Sequence, residues 1–170
     1  MHPEQIRRRC FSPVRIGTAC LSGYRIGFYG HSEEWDGALE TAIESSGCEL
    51  WGVVYALSSM DWERIDLWQG ARFDGTGMYF HYPVQVCGAQ GILYEALMYK
   101  KDVLGMPQLP SNRYLEHILY GAKQNRLPQK YVDNLLALPA KPAEYAVPVR
   151  AGGNPAALAG SGCEACATAL

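Results

Sequence analysis

The sequence has no apolar run long enough to span a bilayer, and its first residues lack the apolar core of a signal peptide. A cytoplasmic location is the expectation that follows. Strong charge of either sign is also missing: a net charge of −2 gives no electrostatic reason to expect nucleic acid or an anionic membrane as partner. The one basic cluster, Arg7-Arg8-Arg9, stands in a short polar segment with Glu4 and reads as a solvated helix face. Histidines are few, and His2, His31, His81 and His117 show no metal-ligand spacing, so each reads as a loop or surface residue. No helix pattern follows Gly23, Gly27 and Gly30, which excludes a dinucleotide-binding loop, and no nucleophile elbow marks a Ser-His-Asp triad. Internal repeats are absent. Of the six cysteines, Cys10, Cys20, Cys48 and Cys87 lie in apolar or strand-like context and read as reduced structural thiols. Cys163-Glu164-Ala165-Cys166 is a lone C-x-x-C, offering two thiolates where a structural zinc takes four ligands, so no metal is expected.

What is present is an ordinary globular composition, 48% apolar and 19% charged, in a chain of 170 residues that fits one domain with a sizeable core. Residues 3–10 predict a short helix with Pro3 in its first turn. From Phe11 to Phe28 apolar residues alternate, with Ser22-Gly23 read as a turn between two strands. Tyr29 to Asp36 reads as a loop, Ala38 to Ile43 as a strand, and Ser45 to Gly47 as a turn into a buried strand over Leu50 to Leu57. Ser58 with Asp61 forms a weak capping box for a helix whose Trp62, Ile65 and Trp68 share one face, and Gly70 ends it. Further strands are expected over HYPVQVCG, where Pro83 argues for an edge or a bulge, and over Gly91 to Met98. Ser111 caps an amphipathic helix bearing Tyr114, Leu115, Ile118, Leu119 and Ala122, and Pro128 opens a last helix with Tyr131, Val132, Leu135 and Leu136. From residue 139 the composition turns to Ala, Pro and Gly without period, an expected disordered tail over 139–170. Strands first and helices after indicate an α+β domain with a mixed, mainly antiparallel sheet.

Trp51-Gly52-Val53-Val54-Tyr55, then Asp66-Leu67-Trp68-Gln69-Gly70, then Gly77-Met78-Tyr79, resemble the core of the γ-glutamylcyclotransferases, the group that includes the AIG2-like proteins. Further anchors follow the family's order. Trp35-Asp36-Gly37-Ala38-Leu39-Glu40-Thr41 is similar to its W-x-G-x-x-x-T segment, and Pro110-Ser111-Asn112-Arg113-Tyr114, Gly121-Ala122-Lys123 and Leu127-Pro128-Gln129-Lys130-Tyr131 to its later series. The resemblance spans residues 1–138. It implies a small β-barrel-like fold of six or seven strands with helices packed outside, and an activity that needs no cofactor. Family members cyclise the γ-glutamyl group of a small dipeptide or amide to 5-oxoproline and release the amino acid or amine.

The chemistry sets requirements. The substrate's α-amine must lose a proton to attack its own γ-carbonyl and the leaving amine must gain one, so a single carboxylate near both nitrogens can carry the proton. Ring closure also rewards a pocket that folds the substrate into its reactive shape. By residue matching, Gln69 takes the position of the catalytic glutamate, while Gly70, Tyr79 and Tyr114 take substrate-binding positions. A glutamine amide keeps glutamate's reach but cannot carry a proton, so the chain is expected to be impaired as an enzyme. Asp74 is the nearby acid that would have to substitute. The family's first strand and its Y-G-S-N loop would precede the position of Met1, so an anion cradle and one strand are expected to be missing here, with unpaired backbone at a sheet edge. A non-catalytic protein binding γ-glutamyl or related small molecules on the same fold is the alternative.

Overall fold

The computed structural model describes residues 2–72, 74–101 and 105–148. In chain order it contains α1 (Pro3–Arg9), β1 (Val14–Ser32), β2 (Gly37–Ala56), α2 (Ser59–Gln69), β3 (Phe80–Gly88), β4 (Leu93–Lys100), α3 (Asn112–Gln124) and α4 (Gln129–Leu136). The α+β class is as expected, and the strands form one antiparallel sheet in the order β2-β1-β3-β4.

The strand count differs from the six or seven expected, because the turns read at Ser22-Gly23 and Ser45-Gly47 are bulges. Ser22 pairs with Glu49 and Tyr24 with Glu44, so both strands bend there and continue. The segment read as a loop after Tyr29 likewise stays in β1 as far as Ser32. Two strands of 19 and 20 residues thereby do the work of four shorter ones and curl the sheet. β3 joins β1 only through Ala19–Gly88 and Cys20–Cys87, while it pairs with β4 along its length. Pro83, which has no N–H to donate, pairs with Leu97 of β4, and no described strand lies along its other side.

Helices α3 and α4 cover the β1–β2 end of the sheet. Their apolar stripes supply Tyr114, Leu115, Ile118, Leu119, Ala122, Tyr131, Val132 and Leu135 to a core shared with Phe28, Trp35 and Ala38. The Ser111 hydroxyl caps α3 by accepting from the Tyr114 N–H at 3.2 Å.

Residues 139–148, assigned to a loose tail by composition, are tied to this layer. Lys141 exchanges backbone bonds with Pro110 and Asn112, its Nζ meets Asp36 Oδ1 at 3.2 Å, and the Glu144 N–H donates to Asp36 Oδ2 at 2.6 Å. The Tyr145 hydroxyl reaches the Glu33 carbonyl at 2.6 Å. Composition misses this because the partners, Glu33, Asp36, Pro110 and Asn112, lie well outside the segment's own neighbourhood in the chain. The rest of the expected tail, with Cys163 and Cys166, lies outside the described residues. Cys10, Cys20, Cys48 and Cys87 are free thiols, and among the described residues no helix is long and apolar enough to cross a membrane.

Candidate active site

The site is built around α2 and the turn that follows it. Ser58 accepts from the Asp61 N–H at 3.1 Å and starts the helix. Gly70 ends it in the left-handed conformation at φ +61°, with the Ala71 N–H returning to the Asp66 carbonyl at 2.9 Å. Met78 N–H then donates to the Gly70 carbonyl at 2.8 Å, and Ala71 bridges to Tyr79, closing the loop on itself. A Cβ at Gly77 would run into the Gly70 carbonyl, so the closure requires glycine there. Gln69, the last residue of α2, and Tyr79, just before β3, are thereby brought to one place.

The buried face of α2 is not the Trp62-Ile65-Trp68 face expected. Trp68 is 44% exposed, while Asp61 and Asp66 are buried beside Ile65. Each carboxylate is inside because distant donors meet it. Asp61 accepts from the backbone N–H groups of Phe11 and Ser12, which hold its pKa below the ordinary carboxylate range. Asp66 accepts from the Tyr99 hydroxyl at 2.5 Å and from His81 Nε2 at 2.7 Å, fastening α2 to β4 and β3 one turn before Gln69. Burial and that bond push the Tyr99 pKa up. His81 is thus a half-buried anchor in β3, not the loop or surface residue the sequence implies. Trp62 lies half-buried against the rings of His81 and Tyr99, at 5.4 and 6.3 Å.

Two adjoining cavities of about 660 and 640 Å³ open here, each within the range of small-molecule sites. Gln69, Tyr79 and Glu40 line both, and Gly70 and Tyr114 line the second. Four of the expected site residues therefore converge. Asp74 does not join them. It is exposed, and its carboxylate is occupied within its own turn by the Thr76 N–H at 3.0 Å and hydroxyl at 2.7 Å. Those bonds lower its pKa, the opposite of what a base working near neutrality needs.

The first cavity is walled by apolar side chains of all four strands, among them Leu21, Val53, Val84 and Met98. The second is edged by an aromatic stack. His2 lies 4.3 Å from His117, and Trp35 lies 4.9 Å from both His117 and Tyr114. Burial pushes the His117 pKa down to about 4, so this ring is neutral near pH 7. His117 is therefore part of a half-buried wall and not the surface residue expected.

Charged residues at or beside the site were not singled out by sequence: Glu95 lines the first cavity, Glu34 and Arg9 the second and Glu40 both, and Lys101 lies buried nearby. Arg9 lines the second cavity, with its guanidinium 4.9 Å over the Trp68 ring. Lys101 is buried, donates to the Tyr29 carbonyl at 2.9 Å and stands 5.5 Å from the Tyr79 ring centre. Glu40 projects from β2, and its Oε2 is sealed from solvent without a hydrogen-bond partner among the described residues. The Tyr79 hydroxyl donates to the Glu40 backbone carbonyl at 3.1 Å. The signal for Glu40 is visible in hindsight as one acid in the otherwise uncharged run Ala38-Leu39-Glu40-Thr41-Ala42-Ile43. An apolar wall with a few convergent polar groups is the arrangement that binds a small polar molecule in a fixed orientation.

Residues 49–135 match the model of the AIG2-like family. The chain is 31% identical over 147 residues to the γ-glutamylcyclotransferase of Mus musculus, covering 84% of this chain and 74% of that protein, and matches the Homo sapiens protein to the same extent. The fold superposes on a solved γ-glutamyl cyclotransferase with a TM-score of 0.77 at 28% identity, covering 85% of each chain. The chain belongs to the AIG2-like, γ-glutamylcyclotransferase family.

Proposed function

We propose that the protein binds small γ-glutamyl dipeptides or amides in these cavities and cyclises them to 5-oxoproline, at a rate limited by the amide at position 69. The observation that carries this reading is the convergence of Gln69, Gly70, Tyr79 and Tyr114 on one cavity, the residues that family resemblance implies for the site. Ring closure within a bound substrate needs positioning above all, and a walled cavity with tyrosines at its edge supplies it. Arg9, on the wall of the second cavity, provides positive charge for the substrate's carboxylate. The apolar strand-lined cavity accommodates the departing amino acid or amine. The reaction consumes no redox equivalent and no second substrate.

A second reading, binding without turnover, is favoured by one observation: Gln69 can hydrogen-bond a substrate nitrogen but cannot take its proton. The test is a panel of γ-glutamyl dipeptides and γ-glutamyl amines offered to the full chain, with binding read by calorimetry and 5-oxoproline by chromatography. Binding with release supports the first reading, binding without release supports the second, and absence of binding across the panel contradicts both.

A further inference from the structure

Resting on that functional reading, we propose that the Glu40 carboxylate is the catalytic group that takes the proton from the attacking α-amine and returns it to the leaving nitrogen, in place of the carboxylate missing at position 69. Glu40 lines both cavities together with Gln69 and Tyr79, which places the residue beside the space the substrate would occupy. Its Oε2 has no donor among the described residues, whereas the buried Asp36, Asp61 and Asp66 each have several partners. A buried carboxylate oxygen without a donor is costly, and such groups gather at sites where chemistry uses them. The Tyr79 hydroxyl fixes the backbone of that residue at 3.1 Å, which ties the acid's position to the same loop that positions Gln69.

The charge environment suits the role. Burial pushes the Glu40 pKa up, while its own backbone N–H, Lys101 of the segment after β4 and Arg9 of α1 pull against the rise. No cation forms an ion pair with Glu40 among the described residues, so the carboxylate is not committed to a structural partner. A carboxyl whose pKa is raised takes and returns a proton more readily than an ordinary one.

The step balances within one substrate molecule. Starting from the neutral α-amine, the nitrogen lone pair forms a bond to the γ-carbonyl carbon as Glu40 accepts one proton from that nitrogen. The bond from the γ-carbon to the departing nitrogen then breaks, and that nitrogen receives the same proton from Glu40. The products are 5-oxoproline and the free amine. The proton lost to solvent when the α-ammonium becomes an amine is regained from solvent by the released amine. Gln69 contributes a hydrogen bond and no proton.

The experiment measures 5-oxoproline release from γ-glutamylalanine by the full chain, Glu40→Gln and Glu40→Ala, with formate added to each. Calorimetric binding of γ-glutamylalanine and thermal melting are measured alongside. Slow release by the unaltered chain is expected, falling by about a hundredfold in both variants while the protein stays folded. Formate entering the space vacated in Glu40→Ala is expected to restore part of the rate, which a merely structural role for Glu40 would not allow. Release by Glu40→Gln equal to that of the unaltered chain overturns the proposal. Binding of γ-glutamylalanine by the unaltered chain with no release overturns it as well, leaving the binding reading intact. No binding by the unaltered chain removes the functional reading and this inference together.

Discussion

Helix α2 and the α3–α4 pair are built on opposite plans. In α3 and α4 the buried positions are apolar and recur at helical spacing, with Leu135 only 1% exposed. In α2 the buried positions include two carboxylates, and a tryptophan faces solvent. The first plan gains stability from apolar area removed from water. The second fixes both ends of the helix by directional bonds, Asp61 to residues 11 and 12 at its start and Asp66 to residues 81 and 99 one turn before Gln69 meets the cavity. One pair of helices is a scaffold and the other helix is a positioning device; local pattern rules hold in the first and fail in the second, as they tend to at functional sites.

Three substitutions sharpen that contrast. Leu135→Ala leaves a cavity under α4 and is expected to cost about 3 kcal/mol of folding free energy, read by urea unfolding, with the α2 region unchanged in structure. Asp66→Ala strips the buried Tyr99 hydroxyl of its acceptor and removes one from His81, and is expected to cost about 2 kcal/mol. It also releases the Trp62 ring from its packing, which tryptophan fluorescence would register. Trp68→Ala, on the exposed side of α2, is expected to cost less than about 0.5 kcal/mol despite the size of the residue removed. If Trp68→Ala cost as much as Leu135→Ala, the contrast between the two plans would collapse.

Acid separates the regions in another way. Asp61 and Asp36 have folded pKa values held below the ordinary 3.8, Asp61 chiefly by the Phe11 N–H and Asp36 chiefly by the Glu144 N–H. A depressed carboxyl stabilises the fold above its unfolded pKa and loses that contribution as pH falls through the folded value. The attachments of the 11–12 segment and of residues 141–145 are therefore expected to loosen below about pH 4. The apolar α3–α4 interface contains no such dependence. Amide exchange followed as a function of pH would show the two attachments opening before α4 does, and Asp61→Asn would leave the 11–12 attachment weakened already at neutral pH and without its acid dependence.

The parts legible in the sequence are those whose cause is local. Ser58, Gly70, Ser111 and Pro128 mark helix ends because capping and turn chemistry involve near neighbours. The faces of α3 and α4 follow from spacing, except that Leu136, read with the apolar face of α4, is 53% exposed because it lies one position past the buried stripe. Ser22-Gly23 and Ser45-Gly47 misled because the residues that permit a reversal also permit a bulge, and the outcome depends on whether a partner strand runs alongside. The docking of 139–148 on Asp36 and the burial of α2's carboxylates were hidden for the same reason, since their partners lie far away in the chain. At the site, family resemblance supplied Gln69, Gly70, Tyr79 and Tyr114, and the cavities bring these together. Glu40 was passed over because a carboxylate's burial cannot be read from its neighbours in sequence. Asp74, the acid in the loop between Gly70 and Tyr79, is a weak substitute on sequence alone, and its turn points it at Thr76.

The most direct measurement of the central claim is the rate of 5-oxoproline release from γ-glutamylalanine by the full chain, before and after Gln69→Glu. Slow release by the unaltered protein is expected, with an increase of about 10²–10⁴ when Gln69→Glu places a second carboxylate at the substrate. Release that is absent from both proteins would contradict the cyclising function proposed for this cavity.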